Sequence, residues 1–317
     1  MHTEGKNIKD ANGNIVYLRG VNKMGLEYNN PAVNPWRSTS PAYYSYDANQ
    51  IASWGVNYVK LPFNGGWYEK DANYRKLVKS MVANLTSRNI YVTLILQEIL
   101  DSSGSPVRLP DQIETDASAN ATFAYCVKVL KNVTVDFKDN PKMVGIGIDE
   151  YSPFSSPSKS WIWLINKYNG LTKEVHAINP NLLVLYDLEE YVYDYVDSAT
   201  LQSGANIPLE PNAVFDMHFF GGSSTLASRA NTKVKYLQNL YDVPYMIGGW
   251  GVYRTEASTV IPDFLRVVNT NNWSQAYWVY AGIDNDEMQL LYDDNGAWNR
   301  LTPQGVAFTA NLKTIGG

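Results

Sequence analysis

Two consecutive carboxylates, Asp149 and Glu150, end the apolar run Gly145-Ile146-Gly147-Ile148, and Tyr151 follows. A charged pair closing a buried run lies where a strand leaves its core, a place suited to acid–base chemistry. A carboxyl there can give a proton to a departing oxygen if burial or a neighbouring anion raises its pKa. Glu150 is the candidate donor, and Asp149 is placed to orient it or a ligand. Other runs end in polar or aromatic residues too. Lys60 lies in Val59-Lys60-Leu61-Pro62, Gln97 and Glu98 follow Leu96, and His218 sits in Asp216-Met217-His218-Phe219-Phe220. His218 is expected to hydrogen-bond a ligand rather than to move protons. Trp67, Trp250 and Trp278 each follow such a run; each is a candidate stacking platform or, alternatively, a packing residue.

Composition narrows the ligand. Nine Trp and 23 Tyr bring aromatics to 13% of the 317 residues, and flat rings with polar edges suit the faces of sugars. The net charge is -5 and Lys/Arg form no extended run, which argues against nucleic acid or an anionic membrane. No apolar stretch reaches the roughly 18–20 residues of a spanning helix. Cys126, the single cysteine, has no intrachain partner and lies in the apolar stretch Phe123-Ala124-Tyr125-Cys126-Val127, so it reads as core. With it and three histidines, no metal site of the usual zinc type is expected, and no cofactor is implied. No signal peptide is recognisable at Met1-His2-Thr3-Glu4. Asn84, Asn120, Asn132 and Asn272 begin Asn-x-Ser/Thr sequences, which carry meaning only if the host secretes through a glycosylating pathway.

These residues need a scaffold that brings strand ends together. The turn cluster Asp10–Asn14 separates Ile8 from Ile15-Val16-Tyr17-Leu18 and predicts a small hairpin. Arg19-Gly20-Val21-Asn22 reads as a first strand. Further strands are predicted at 58–61, 91–96, 143–148, 182–185, 213–217, 244–247 and 276–278. Helices are predicted at 48–54 with Asp47 as its cap, 72–87, 117–137, 161–178, 226–240, 257–269 and 303–312. Most strands recur roughly 30–35 residues apart, the size of one βα unit. Eight strands alternating with helices, without a linker, predict one (β/α)8 TIM barrel domain over 1–317, with a short N-terminal β-hairpin. A Gly-x-Gly-x-x-Gly turn is absent after the first strand, against a dinucleotide-binding fold.

Several of these segments together resemble glycoside hydrolase family 5, the cellulases and mannanases. The opening Asp10-Ala11-Asn12-Gly13 and Val16-Tyr17-Leu18-Arg19-Gly20-Val21-Asn22 are similar to the family's start. Trp54-Gly55-Val56-Asn57-Tyr58-Val59-Lys60-Leu61-Pro62-Phe63 resembles its second-strand motif, with Lys60 where Arg is usual. Asp149-Glu150 resembles the Asn-Glu pair, which implies that Glu150 is the acid/base. His218 matches the sixth-strand His, Phe220 replaces a usual Tyr, Gln97 stands where His is often found, and Trp278 resembles the sugar-stacking Trp. Leu301-Thr302-Pro303-Gln304-Gly305 is similar to the closing helix start.

One departure bears on the chemistry. The family's seventh strand ends Ile-Gly-Glu-aromatic-Gly, where Glu is the nucleophile; here the segment reads Ile247-Gly248-Gly249-Trp250-Gly251. Retaining glycosidases need a second carboxyl about 5–5.5 Å from the acid, and Gly249 supplies none. Three readings fit: an engineered exchange, a natural binding barrel, or another carboxylate at Glu98, Asp284, Asp286 or Glu287. The resemblance implies a retaining endo-β-1,4-glycanase, first an endoglucanase, with mannan or xyloglucan as alternatives. It is expected to be extracellular and monomeric, with Lys60, Gln97, Asp149, His218, Trp67, Trp250 and Trp278 contacting a β-linked oligo- or polysaccharide.

Overall fold

A computed structural model describes residues 1–27, 41–100, 102–109, 115–149, 151–188, 190–221, 225–281, 287–292 and 300–313. Glu150, Asp284 and Asp286 lie outside the described residues.

The chain opens with β1 (His2–Glu4) and β2 (Asn7–Lys9), an antiparallel pair that turns at Gly5 with φ +52°. This hairpin differs from the predicted one. The Asp10 turn does form, its carboxylate accepting from Asn12 N at 2.8 Å and Asn14 N at 2.9 Å. Beyond it, however, Ile15 makes only a single bridge to Lys9, because Leu18 turns away to pack inside the barrel.

The barrel strands are β3 (Arg19–Asn22), β4 (Tyr58–Asn64), β5 (Tyr91–Leu100), β7 (Met143–Ile148), β8 (Leu183–Asp187), β9 (Ala213–Phe220), β10 (Tyr245–Gly251) and β11 (Ser274–Tyr277). They pair in parallel in the order β4-β3-β11-β10-β9-β8-β7-β5, and β4 pairs with β5 to close the ring. The short β6 (Pro106–Arg108) lies antiparallel on the end of β5, with Glu98 opposite Arg108. The predicted (β/α)8 barrel with its N-terminal hairpin is thus the observed fold.

Helices α1 (Pro41–Ser53), α2 (Gly65–Lys70), α3 (Ala72–Thr86), α4 (Asp116–Phe137), α5 (Pro157–His176), α6 (Glu190–Tyr195), α7 (Ser198–Ala205), α8 (Leu226–Leu240), α9 (Ala257–Thr270) and α10 (Pro303–Lys313) pack outside. Their starts follow local chemistry: Asp71 caps α3 through Asn73 N and Tyr74 N, and Ser156 precedes Pro157 at the head of α5. Asp47 is not the cap expected. It lies within α1, where Lys23 Nζ meets its carboxylate at 3.0 Å and both are buried, so charge pairing claims it. Among the described residues, no helix is long and apolar enough to cross a membrane.

Strand alternation divides the residues into two sets. Outward positions such as Val59, Leu61, Phe215, Met217 and Phe219 join the layer between strands and helices. Inward positions begin with an apolar plug of Leu18, Tyr58, Ile95, Val144, Leu183, Leu185, Val214, Met246 and Ala276, sealed at the base by Ile8 from β2. Farther along the same strands the inward positions become Lys60, Asp187, Asp216 and His218. The plug supports these charges from below. Leu185→Ala should therefore cost about 2–5 kcal/mol, by the usual range for a buried Leu, read as a lower midpoint in urea denaturation. An unchanged midpoint would show that the plug is loosely packed.

Candidate active site at the strand ends

Lys60 is 1% exposed, and its ammonium reaches Asp216 Oδ2 at 2.8 Å, Asp149 Oδ1 at 3.2 Å and His218 Nε2 at 2.8 Å. These partners come from β9 and from the end of β7, so one cation ties three sides of the mouth. Asp187, at the end of β8, stands 3.6 Å from His218 Nε2. All five residues are buried.

Burial alone would push the Lys60 ammonium down, but the carboxylates of Asp216, Asp149 and Asp187 outweigh it and hold its pKa above the ordinary lysine value. Asp216 is held below the ordinary carboxylate value, because Lys60 and His218 overcome its burial. Burial raises Asp187 to about 7. His218 rises to about 8, since Asp187, Asp216 and Asp149 overcome burial and the Lys60 charge. Asp187 and His218 therefore compete for one proton near neutrality. In this arrangement the 2.8 Å contact with the ammonium makes His218 Nε2 the acceptor.

Asp149, Asp187 and His218 bring ligand-type atoms within 4.8 Å of one another. The Lys60 ammonium already stands against two of them, where a metal cation would have to sit.

A second group of acids borders the first. Glu27, shortly after β3, is fully buried; its Oε2 accepts from Gly25 N at 2.7 Å, and its Oε1 has no hydrogen-bond partner among the described residues. Burial, with added repulsion from Glu98 and Asp149, raises Glu27 to about 8. Glu98 rises to about 7, mainly by burial, against the opposing charge of Arg108.

Position 249 lies across the mouth from Asp149. Gly249 pairs with His218 of β9, and a bulge falls between Ile247 and Gly249. The bulge turns two successive residues inward. A Cβ on Gly248 would lie 1.9 Å from Asp216 Oδ1, so only glycine fits there. A Cβ on Gly249 would meet His218 Cδ2 at 3.1 Å and Phe220 Cζ at 3.2 Å. Phe220 stands edge-on to Trp278, with centroids 6.4 Å apart at 82°, and both rings are half-buried. Asn22 fastens this side by donating to Gly248 O at 2.8 Å and Ala276 O at 3.2 Å.

Of the residues singled out in the sequence, Lys60, Asp149, His218, Gly249 and Trp278 thus gather at one mouth. His218 spends Nε2 on Lys60 rather than presenting it to a ligand. Gln97 is buried beside Glu98, its carbonyl accepting from Leu109 N at 3.2 Å. The other two tryptophans pack against neighbouring rings. Trp250 is 0% exposed, stacks on Phe264 at 4.2 Å and donates to Gln275 Oε1 at 2.7 Å, because the bulge turns it toward the helices. Trp67 belongs to the short helix α2 and packs on Tyr74 at 5.5 Å. Asp187, Asp216, Glu27 and Asn22 were missed. Asp216 had a legible signal: a charge at the inward parity of an apolar strand.

The cellulase family pattern (glycosyl hydrolase family 5) matches residues 10–282 of this chain. The chain belongs to glycosyl hydrolase family 5. An endoglucanase of Clostridium saccharobutylicum is 21% identical over 253 residues, 78% of this chain, which spans 48% of that relative's length. The catalytic domain of a Thermobifida fusca endoglucanase has the same fold, with TM-score 0.73 and 12% identity over 98% of this chain and 96% of its own. A Pyrococcus horikoshii endocellulase, solved with cellotetraose, gives TM-score 0.73 at 15% identity, covering 99% of this chain and 97% of its own.

The family 5 barrel here carries its charges in a form that responds to pH. Glu27, Glu98 and the Asp187–His218 pair bind protons more tightly folded than unfolded, against ordinary values of 4.5, 4.5, 3.8 and 6.5. Their contribution is full below those ordinary values and is lost as pH rises toward 7–8. The melting temperature should fall between about pH 5 and 8, and Glu27→Gln should flatten that slope; an unaltered slope would deny Glu27 its raised pKa. Lys60→Met strands Asp149 and Asp216 without their cation. It should cost about 3–5 kcal/mol in denaturation.

Proposed function

We propose that this barrel recognises a β-1,4-linked glucan in the manner of an endoglucanase, and that in this sequence it holds the chain without cleaving it through a covalent intermediate. One observation carries the reading. Asp149, Lys60, His218, Gly249, Phe220 and Trp278 form a continuous line of contacts across the mouth, ending in a half-buried aromatic pair and lacking a carboxylate at 249.

In the two-step retaining route, an acid protonates the departing oxygen while a carboxylate attacks the anomeric carbon. Glu150 fits the acid's part by its place in the sequence, directly after Asp149, which follows β7. The carboxylates gathered around Asp149 favour a raised pKa for any acid placed beside them. Gly249 offers no attacking carboxylate at its position. Trp278 offers its ring face to a sugar, with Phe220 as the adjoining wall. Cellotetraose in the Pyrococcus horikoshii endocellulase supports a β-glucan as the ligand class. Mannan and xyloglucan chains are the alternatives. A β-glucan-binding role suits an extracellular monomer.

Isothermal titration should show cellotetraose binding, with the tetramer recovered intact by chromatography. Trp278→Ala should weaken that binding about tenfold or more, through loss of stacking. Failure to bind any of cellotetraose, mannotetraose or a xyloglucan oligosaccharide would sink the reading, and so would steady cleavage of any of them.

A further inference from the structure

Resting on the glycan reading, we infer that the rim beside Trp278 carries a carboxylate site, built from Arg254, Tyr292 and Arg300, which selects β-glycans bearing a uronic acid. Both parts of the site leave the mouth end of the barrel. The strands run parallel, so the segments after β10 and β11 emerge on the side of Gly249 and Trp278. Arg254 begins a single turn of 3-10 helix, Arg254–Glu256, that leads from β10 into α9. After β11 the chain returns as a two-stranded ribbon. Leu290 N donates to Val279 O at 2.9 Å, next to Trp278, and Thr302 N donates to Leu290 O at 3.0 Å. Leu291 and Leu301 form an antiparallel bridge, and Tyr292 N donates to Arg300 O at 2.9 Å. That register sets the Tyr292 and Arg300 side chains beside each other. The root of the ribbon is held firmly: Leu290 and Leu291 are fully buried, and Gln304 Nε2 donates to Val252 O at 3.3 Å.

Two guanidiniums meet on one ring. Arg300 Cζ lies 4.1 Å from the Tyr292 centroid, and Arg254 Cζ lies 5.1 Å from it. Like charges gathered on one ring repel, and an anion between them relieves that cost. The acid nearest in sequence does not serve. Arg254 Nε and Glu256 Oε2 are both buried without a hydrogen-bond partner among the described residues, so these two side chains do not pair. No carboxylate among the described residues pairs with Arg254 at all.

A guanidinium held in place by an aromatic ring, beside a second cation, matches the two oxygens of a carboxylate. Arg254 is half-buried, and partial loss of water strengthens such a bond. Tyr253, the preceding residue, is 44% exposed and offers a ring to the apolar face of a sugar. A uronic acid joins that face to a carboxylate, whereas a neutral glucan would leave both guanidinium charges unused. Asp149, Asp187 and Asp216 repel an anion deeper in the mouth, so the rim is where an acidic unit is admitted.

Equilibrium dialysis tests the site, with cellotetraose competing against a pool of cellotetraose oxidised to a carboxylate at one C6, both read by mass spectrometry. The parent protein should hold the oxidised tetramers about tenfold more tightly at about 20 mM NaCl, and the preference should shrink at about 300 mM. Arg254→Met and Arg254→Gln should each reduce it to about twofold or less and leave cellotetraose binding as it was. Arg266→Met removes an exposed cation of α9 that pairs with Asp263, and as the control for net charge it should keep the preference. Circular dichroism and melting temperatures establish that each variant folds.

Equal binding of the two sugars by the parent overturns the inference. So does a preference that survives in whichever Arg254 variant folds, or one lost to the same degree in Arg266→Met. Failure of the parent to bind either tetramer instead removes the glycan reading itself, so the two failures are distinguishable.

Discussion

An ammonium group inside a barrel persists only where anions and other acceptors replace the water it has lost, and Lys60 meets that condition with two carboxylates and an imidazole between 2.8 and 3.2 Å. The arrangement is reciprocal. Asp216, with no exposure to solvent, stays ionised because the lysine faces it, and His218 takes up its ring orientation because Nε2 accepts from the same cation. The apolar plug beneath excludes water and strengthens each of these interactions. Lower and upper barrel therefore depend on each other: the plug makes the charges expensive to separate, and the charges fix the strand ends that form the mouth.

The bulge in β10 does comparable work on the opposite side. It turns Gly248 and Gly249 inward together and sends Trp250 outward into the helix layer. Glycine at 248 is a matter of space, since Asp216 occupies the volume of a side chain. Glycine at 249 has a different basis, because a side chain would fit there with small shifts of His218 and Phe220. The first is a demand of the fold and the second a property of the site.

Much of the fold was legible because βα repetition needs only apolar runs and spacing. All eight strands lie where those runs fall, with their ends shifted by a few residues at most places. The short helices α2, α6 and α7 and the added strand β6 escaped, because segments this brief carry no hydrophobic period to read. At the mouth, Lys60, Asp149, His218 and Trp278 could be picked out as polar or aromatic interruptions at strand ends. For Trp250 and Trp67 the sequence left stacking and packing both open, because a bulge and a short helix each change which way a side chain points without a mark in residue type. Asp47 was read as a local cap when its partner, Lys23, lies far away in the chain. Long-range charge pairing of that kind is invisible to a single sequence.

The N-terminal hairpin sits at the barrel's base, where Thr3 N donates to Asn212 Oδ1 at 2.8 Å and Ile8 seals the plug. Anything joined ahead of Met1 would therefore leave from the pole opposite the mouth. A tether or reporter attached there would hold the protein on a surface with its mouth turned outward.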